Sequence, residues 1–423
     1  MSDQNNLATN IVNVLRMGIP PQKGVEQYSV GNEKLIEGIK KFHLTGMSNH
    51  GIIRFVSGSW GSGKTHFFRL LREIALQNNC LVSNVELDVN SAAMNKFQSI
   101  FSAIIRMVAT PSYYEEDKID IVPFGMVIKE SLAWLATGRH EAKYVNVPYE
   151  KYQKAVEILM ADHSIDIDFK KMVDNYWKTF IIDSPDESAV EKTRGEILQW
   201  LCGEGSIGFY RKNFNINKLI TKENAKIMLQ SLAGFVRLSG YRGLIILFDE
   251  AEQAFSIMRQ SVLRDAHNNL LSLINNIENV PGLFLIYATV PEFYSDPKYG
   301  IIRYGALSGR IGQPDPNRFP RALDKIWNFD AVQTELNDYQ EVALKIKNIY
   351  LTAYPETENI LPNDVEVKKR VEELHKKHSP YAGIKFWRLL VSSMVEDFDN
   401  HAEGIVKSSD KLYYDVMERL KNE

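Results

Sequence analysis

Gly58-Ser59-Trp60-Gly61-Ser62-Gly63-Lys64-Thr65 matches the pattern G-x-x-x-x-G-K-[ST] without departure. Just before it, Ile52-Ile53-Arg54-Phe55-Val56 reads as a buried strand, and just after it His66 to Ala75 reads as a helix. Strand, glycine loop and helix in that order form the setting the motif requires. The glycines let successive backbone N–H groups turn inward around phosphate oxygens at a helix N-terminus, where the dipole also favours an anion. On this reading Gly58, Ser59, Trp60, Gly61, Ser62, Gly63, Lys64, Thr65 and His66 hold the phosphates of a nucleotide. Lys64 reaches the β- and γ-phosphates, and the Thr65 hydroxyl is a Mg2+ ligand.

A chain of 423 residues is long for one core, so two or three subdomains are expected. Hydrophobic content of 44% and charged content of 24% are those of an ordinary soluble globular protein. The formal net charge of −3 gives no global electrostatic case for nucleic acid, so any such surface is local. Cys80 and Cys202 are the only cysteines, which excludes a disulfide framework or a multi-cysteine zinc site and fits a reduced cytosol. No apolar run approaches the ~18 residues that span a bilayer. The polar Met1–Asn10 does not read as a signal peptide, so a cytoplasmic protein with no membrane partner is expected.

Ile11 to Met17 has the pattern of a short amphipathic helix stopped by Gly18-Ile19-Pro20-Pro21. Tyr28-Ser29-Val30-Gly31 leads into a second helix, Asn32 to Lys41. These two segments lie either near the nucleotide base or in a plain packing arm, and the residues leave both readings open. Leu81 to Leu87 is a second strand whose carboxyl end presents Glu86 and Asp88. Solvation of a strand end accounts for such acids more readily than contact with water or metal at a nucleotide. Lys96 to Val108 is an apolar-faced helix, and from Thr110 to Gly240 only helical patterns stand out: Phe124–Thr137, Tyr149–Ala161, Phe169–Ile181, Ser188–Cys202 and Glu223–Leu238. Ser184-Pro185-Asp186 supplies a start signal for the fourth. Trp134, Trp177 and Trp200 are read as the core of this helical insertion.

Leu244-Ile245-Ile246-Leu247-Phe248 followed by Asp249-Glu250 is the Walker B pattern. Asp249 then holds Mg2+ through water, and Glu250 accepts a proton from the attacking water. Leu283 to Ala288 is a fourth strand ending at Thr289, the position known as sensor 1, from which a hydroxyl reaches the γ-phosphate or the lytic water. The loop-rich stretch Pro291–Arg321 carries Arg303, Arg310, Arg318 and Arg321. Arg310 first, and Arg303 second, suits an arginine finger given to a neighbouring copy, which implies a homo-oligomer. Trp327-Asn328-Phe329 is a fifth strand, and Asp338–Ala353, Asp364–His378 and a helix opened by Tyr381–Leu390 form a lid. In that lid Arg388, with Lys385 behind it, is the candidate for sensor 2. Lys368-Lys369-Arg370 with Lys376-Lys377 reads as a solvated helix face before it reads as a phosphate-backbone contact. The fold class is therefore α/β, a P-loop NTPase. Its parallel sheet has the order 5-1-4-3-2, with a large helical insertion and a C-terminal helical lid. The segments are 1–50, 51–109, 110–240, 241–333 and 334–423.

Several stretches also carry a resemblance. Gly18-Ile19-Pro20-Pro21, Tyr28-Ser29-Val30-Gly31, the glycine loop, Val85-Glu86-Leu87 and Gly240-Tyr241-Arg242-Gly243-Leu244 running into Asp249-Glu250-Ala251-Glu252 are among them. So are Thr289-Val290-Pro291-Glu292-Phe293-Tyr294-Ser295-Asp296-Pro297-Lys298-Tyr299-Gly300 and Leu307-Ser308-Gly309-Arg310-Ile311. Together they resemble the ATP-binding proteins of bacteriophage-exclusion (BREX) systems, the BrxC/BrxD family, most closely its BrxD type. The resemblance implies an AAA+-like ATPase of antiviral defence, using ATP and Mg2+, acting on DNA or with a helicase and other defence proteins. The alternative is a slow-turnover ATP switch or scaffold that recruits effectors. One departure stands out: Gly383-Ile384-Lys385 has lysine where the broader AAA+ pattern has Gly-x-Arg, and a point charge replaces a bidentate fork.

Overall fold

A computed structural model describes residues 3–88, 92–115, 121–140, 147–181, 187–249, 259–332, 334–379 and 384–422. Its sheet contains β1 (Ile52–Ser57), β2 (Leu81–Glu86), β3 (Val108–Ala109), β4 (Leu244–Asp249), β5 (Leu283–Thr289) and β6 (Ile326–Asn328). The order is β3-β2-β4-β5-β1-β6. β2 and β5 flank β4 in parallel, in the registers Glu86↔Asp249 and Phe248↔Tyr287, while β3 lies antiparallel to β2. This order corrects the five-strand expectation of 5-1-4-3-2, because a sixth strand, β3, stands at the edge. Sequence periodicity had carried the helix through Val108. The helix stops instead at Arg106, where the Met107 N–H bonds to the Ala103 and Ile104 carbonyls. The buried pair Val108-Ala109 then takes ladder bonds beside β2, which suits a β-branched residue better than another helical turn.

The chain divides into two compact units. The first comprises Met1–Gly38, Val56–Ile74 and Pro314–Glu423. Here the helix Asp3–Arg16, longer at its start than the expected Ile11–Met17, packs on the helices Leu336–Ala353 and Phe386–Ala402. The helix Asp364–Lys377 starts at an Asn363/Glu366 capping box, and Ser409–Asn422 adds a last helix that the sequence reading had left unassigned. The basic cluster lies on this bundle, and four of its residues face acids. Lys369 faces Glu373, Lys376 faces Glu372, Lys377 pairs with Asp410, and Arg370 reaches Asp397.

The second unit comprises Ile39–Phe55 and Ala75–Gln313. Every residue of β4 and β5 is buried, as a central parallel strand covered on both faces requires. In the helical insertion the fully buried Trp177 and Trp200 anchor the core, their indole N–H groups donating to the Ile128 and Lys218 carbonyls at 2.8 and 2.9 Å. Trp134 is half-buried and begins a three-ring stack. It lies 4.7 Å from His140, which lies 4.1 Å from Tyr241, and the Tyr241 hydroxyl donates to the buried Glu130 at 2.6 Å. Gly240 sits against this stack with φ +82°, and a Cβ there would fall 2.0 Å from Trp134. The Gly240-Tyr241 dipeptide is thus fixed by close aromatic packing. Ser184-Pro185-Asp186, expected to cap a helix, falls outside the described residues.

Candidate functional site

β1 feeds the glycine loop directly into the helix Lys64–Gln77. Phe67 on that helix is fully buried against Trp327 and Phe329, with ring centroids 5.8 and 5.0 Å away. Such a ring contributes about 2 kcal/mol through burial and so fixes the helix start. Gly61 has φ +74°, a left-handed conformation that a side chain would strain. Lys64 is buried, and its ammonium donates to the Gly58 carbonyl at 2.6 Å and the Ser59 carbonyl at 3.3 Å. Ser57 Oγ and Ser62 Oγ are shielded from solvent with no hydrogen-bond partner among the described residues. Thr65 is exposed in the first turn of the helix. A cation, orphaned hydroxyls and a helix N-terminus are what a phosphate chain requires, so these residues fit a nucleotide. Trp60 projects from the same loop and is 63% exposed.

The segment before β1 packs on this helix within the first unit. Buried Glu73 accepts the backbone N–H groups of Gly24 and Glu26. Ser29 Oγ lies 2.8 Å from His66 Nε2, and the Tyr28 ring meets His66 edge-on at 5.2 Å. Burial pushes the His66 imidazole down to about 4 and the Tyr28 phenol up. Lys345 donates to the Ser29 carbonyl at 3.0 Å. Tyr28-Ser29 thus lies beside the residue that follows Thr65, whereas the sequence alone left that segment's place open.

A second group on the loop escaped the sequence reading. Asp330 accepts the Ser59 N–H at 2.8 Å on one carboxylate oxygen and the Ser59 hydroxyl at 2.6 Å on the other. The Lys385 ammonium lies 3.8 Å from the same carboxylate. The Lys385 side-chain stem covers Gly61, so a Cβ on that glycine would meet it at 3.1 Å. Lys385 is the residue before the helix Phe386–Ala402, and Arg388 is exposed in that helix's first turn. Lys385, the second of the two lid candidates, lies at the glycine loop through its stem over Gly61 and its ammonium beside Asp330. A signal for Asp330 existed: it follows the expected strand Trp327-Asn328-Phe329 directly, as Asp249 follows Leu244–Phe248.

In the second unit Asp249 ends β4 and is buried; its carbonyl accepts the Leu87 N–H at 2.9 Å. A buried carboxylate is a hard oxygen donor of the kind Mg2+ takes, as is the Thr65 hydroxyl. Glu250 lies outside the described residues. Thr289 ends β5 and is fully buried, with its hydroxyl 2.9 Å from the Tyr294 hydroxyl. Arg303 donates to Gln260 and to the Lys298 carbonyl, each at 2.8 Å, while Arg310 is exposed on the helix Gly305–Ile311. Within the first unit Arg318 and Arg321 both turn to Asp324.

These features define an α/β protein that carries a complete phosphate-loop sequence between a strand and a helix. The chain belongs to the family described as BREX system ATP-binding protein BrxC/D, whose model matches residues 4–403. That family is an ATP-binding component of BREX phage defence. No curated protein and no solved structure matches the chain. No described helix is long and apolar enough to cross a membrane.

Proposed function

We propose that the protein binds ATP with Mg2+ at Gly58–Thr65 and hydrolyses it as a cytoplasmic AAA+-like engine of the defence system, with BrxD the closer of the two family types. The observation that carries this reading is the buried Lys64, whose ammonium is held on carbonyls of its own loop and is ready to exchange them for phosphate oxygens. Thr65 and Asp249 would hold the metal, which neutralises phosphate charge when bound. Glu250 accepts the proton of the attacking water, a role resting on its place after Asp249. Arg388 and Lys385 are the lid cations for the phosphates. Arg310, exposed on a short helix, is given to a second copy of the chain as a finger. The load driven by hydrolysis is another defence protein or DNA; a basic face with four residues already facing acids gives the DNA arm less support.

One observation favours a slow switch over a fast motor. The Thr289 hydroxyl is engaged by Tyr294 and fully buried, so a sensor-1 role would need this pair to open. Calorimetric ATP binding and phosphate release by purified protein, with and without DNA, test both readings. Loss of binding in Lys64→Ala and of turnover in Glu250→Gln is expected. Equal ATP affinity of wild type and Lys64→Ala would sink the assignment of the loop.

A further inference from the structure

We infer that Asp330 is a positioning residue that joins the glycine loop to the lid. The inference rests on the loop's being a nucleotide site. Asp330 sits just past β6, and its N–H is itself fixed by the Asn328 side chain at 3.1 Å. Its two carboxylate oxygens take the two donors of Ser59, the backbone N–H at 2.8 Å and the hydroxyl at 2.6 Å. Ser59 then offers its carbonyl to Lys64 at 3.3 Å, beside the Gly58 carbonyl at 2.6 Å. A carboxylate on β6's exit therefore sets the limb of the loop that parks the phosphate-binding lysine. The same carboxylate attracts Lys385, whose stem lies over Gly61. At 3.8 Å and half-exposed this ion pair is weak on its own. Weakness suits a hand-over: an arriving phosphate, with more charge than one carboxylate, takes Lys385 while Asp330 keeps Ser59 in place. Charge-assisted bonds from a carboxylate to a backbone N–H and a hydroxyl are strong enough to hold a loop that glycine leaves pliable.

The test has one arm that needs no nucleotide. In nucleotide-free protein, amide hydrogen exchange across 58–65 should quicken in Asp330→Ala. It should stay near wild type in Asp330→Asn, which retains an acceptor for the Ser59 N–H. In calorimetric titrations with MgATP, Asp330→Ala and Lys385→Met should each weaken binding about tenfold, and the double variant should lose more than the two losses combined, because each single variant is spared the parting of the pair. Unchanged exchange in Asp330→Ala overturns the positioning role. Additive losses in the double variant overturn the link to the lid. If wild type fails to bind ATP while the exchange response appears, the nucleotide reading falls and the Asp330–Ser59 hold stands.

Discussion

The Thr289 and Tyr294 hydroxyls lie 2.9 Å apart at the end of β5, both residues fully buried. The same threonine is the sensor-1 candidate, so the tyrosine competes with any phosphate for its hydroxyl. Tyr294→Phe should cost about 1 kcal/mol of stability through one lost buried hydrogen bond. It should raise the steady-state ATPase rate, and Thr289→Ala should lower it. Both are read by phosphate release beside a thermal melt. Rates unchanged in the two variants would assign Thr289 to the core alone.

The N-terminal helix is tied to the helix Phe386–Ala402 by a two-pronged ion pair. Arg16 Nε and Nη2 meet the two Asp399 oxygens at 2.7 and 2.8 Å, and the Tyr350 hydroxyl donates to the same carboxylate at 2.9 Å. Both charged groups keep part of their surface in solvent, so Asp399→Ala should cost about 1–2 kcal/mol, and the loss should shrink in high salt. A double-mutant cycle with Arg16→Ala, followed by urea denaturation, checks it. Additivity of the two losses would deny the pair any coupling.

Stability should fall on mild acidification. Burial holds His66 to about 4 in the folded protein, against about 6.5 for an ordinary histidine. Between those values the unfolded chain binds the extra proton and the folded chain does not. Stability is therefore kept above the unfolded value and lost as pH falls toward the folded one. The loss is at most about 3 kcal/mol, and less in practice because the imidazole keeps some surface toward solvent. His267, also pushed down to about 4 by burial, adds to the slope. Replacing His66 with Gln should flatten part of the difference in urea midpoint between pH 7 and pH 5. An identical difference in that variant would show that His66 titrates normally.

Gly240→Ala tests the aromatic stack. The new Cβ would strike Trp134 at 2.0 Å in a left-handed backbone conformation, so a loss of about 3 kcal/mol or more is expected. Near-ultraviolet circular dichroism should show the disturbed rings. A variant as stable as wild type would mean that the His140–Tyr241 stack does not hold the start of β4.

How much the sequence disclosed depended on how local the signal was. The glycine loop, β4 and β5 were legible because each is a contiguous pattern, and β4 ends on the acid that the pattern names. β3 was missed because two residues carry no periodicity, and helical spacing upstream absorbed them. Asp330 was missed for a different reason. Its partner Ser59 lies far back along the chain, and only folding makes an ordinary acid into the anchor of a glycine loop. The place of Lys385 was likewise hidden, because nothing in a sequence shows that its stem lies against a glycine more than three hundred residues earlier.

The first unit is assembled from three separate stretches of chain, and this has a consequence during translation. A ribosome delivers Lys64 long before it delivers Asp330 and Lys385. At roughly 5–20 residues per second the interval is on the order of tens of seconds. Throughout it the emerging polypeptide displays its phosphate motif with neither anchor nor cover. The two stretches of the second unit, Ile39–Phe55 and Ala75–Gln313, are already complete by then and free to fold together. The N-terminal helix must likewise wait for Leu336–Ala353 before it has a surface to lie on. Competence to grip a nucleotide is thus postponed until Asp330 and Lys385 have been made, so a product stopped short of them would carry the signature without the grip.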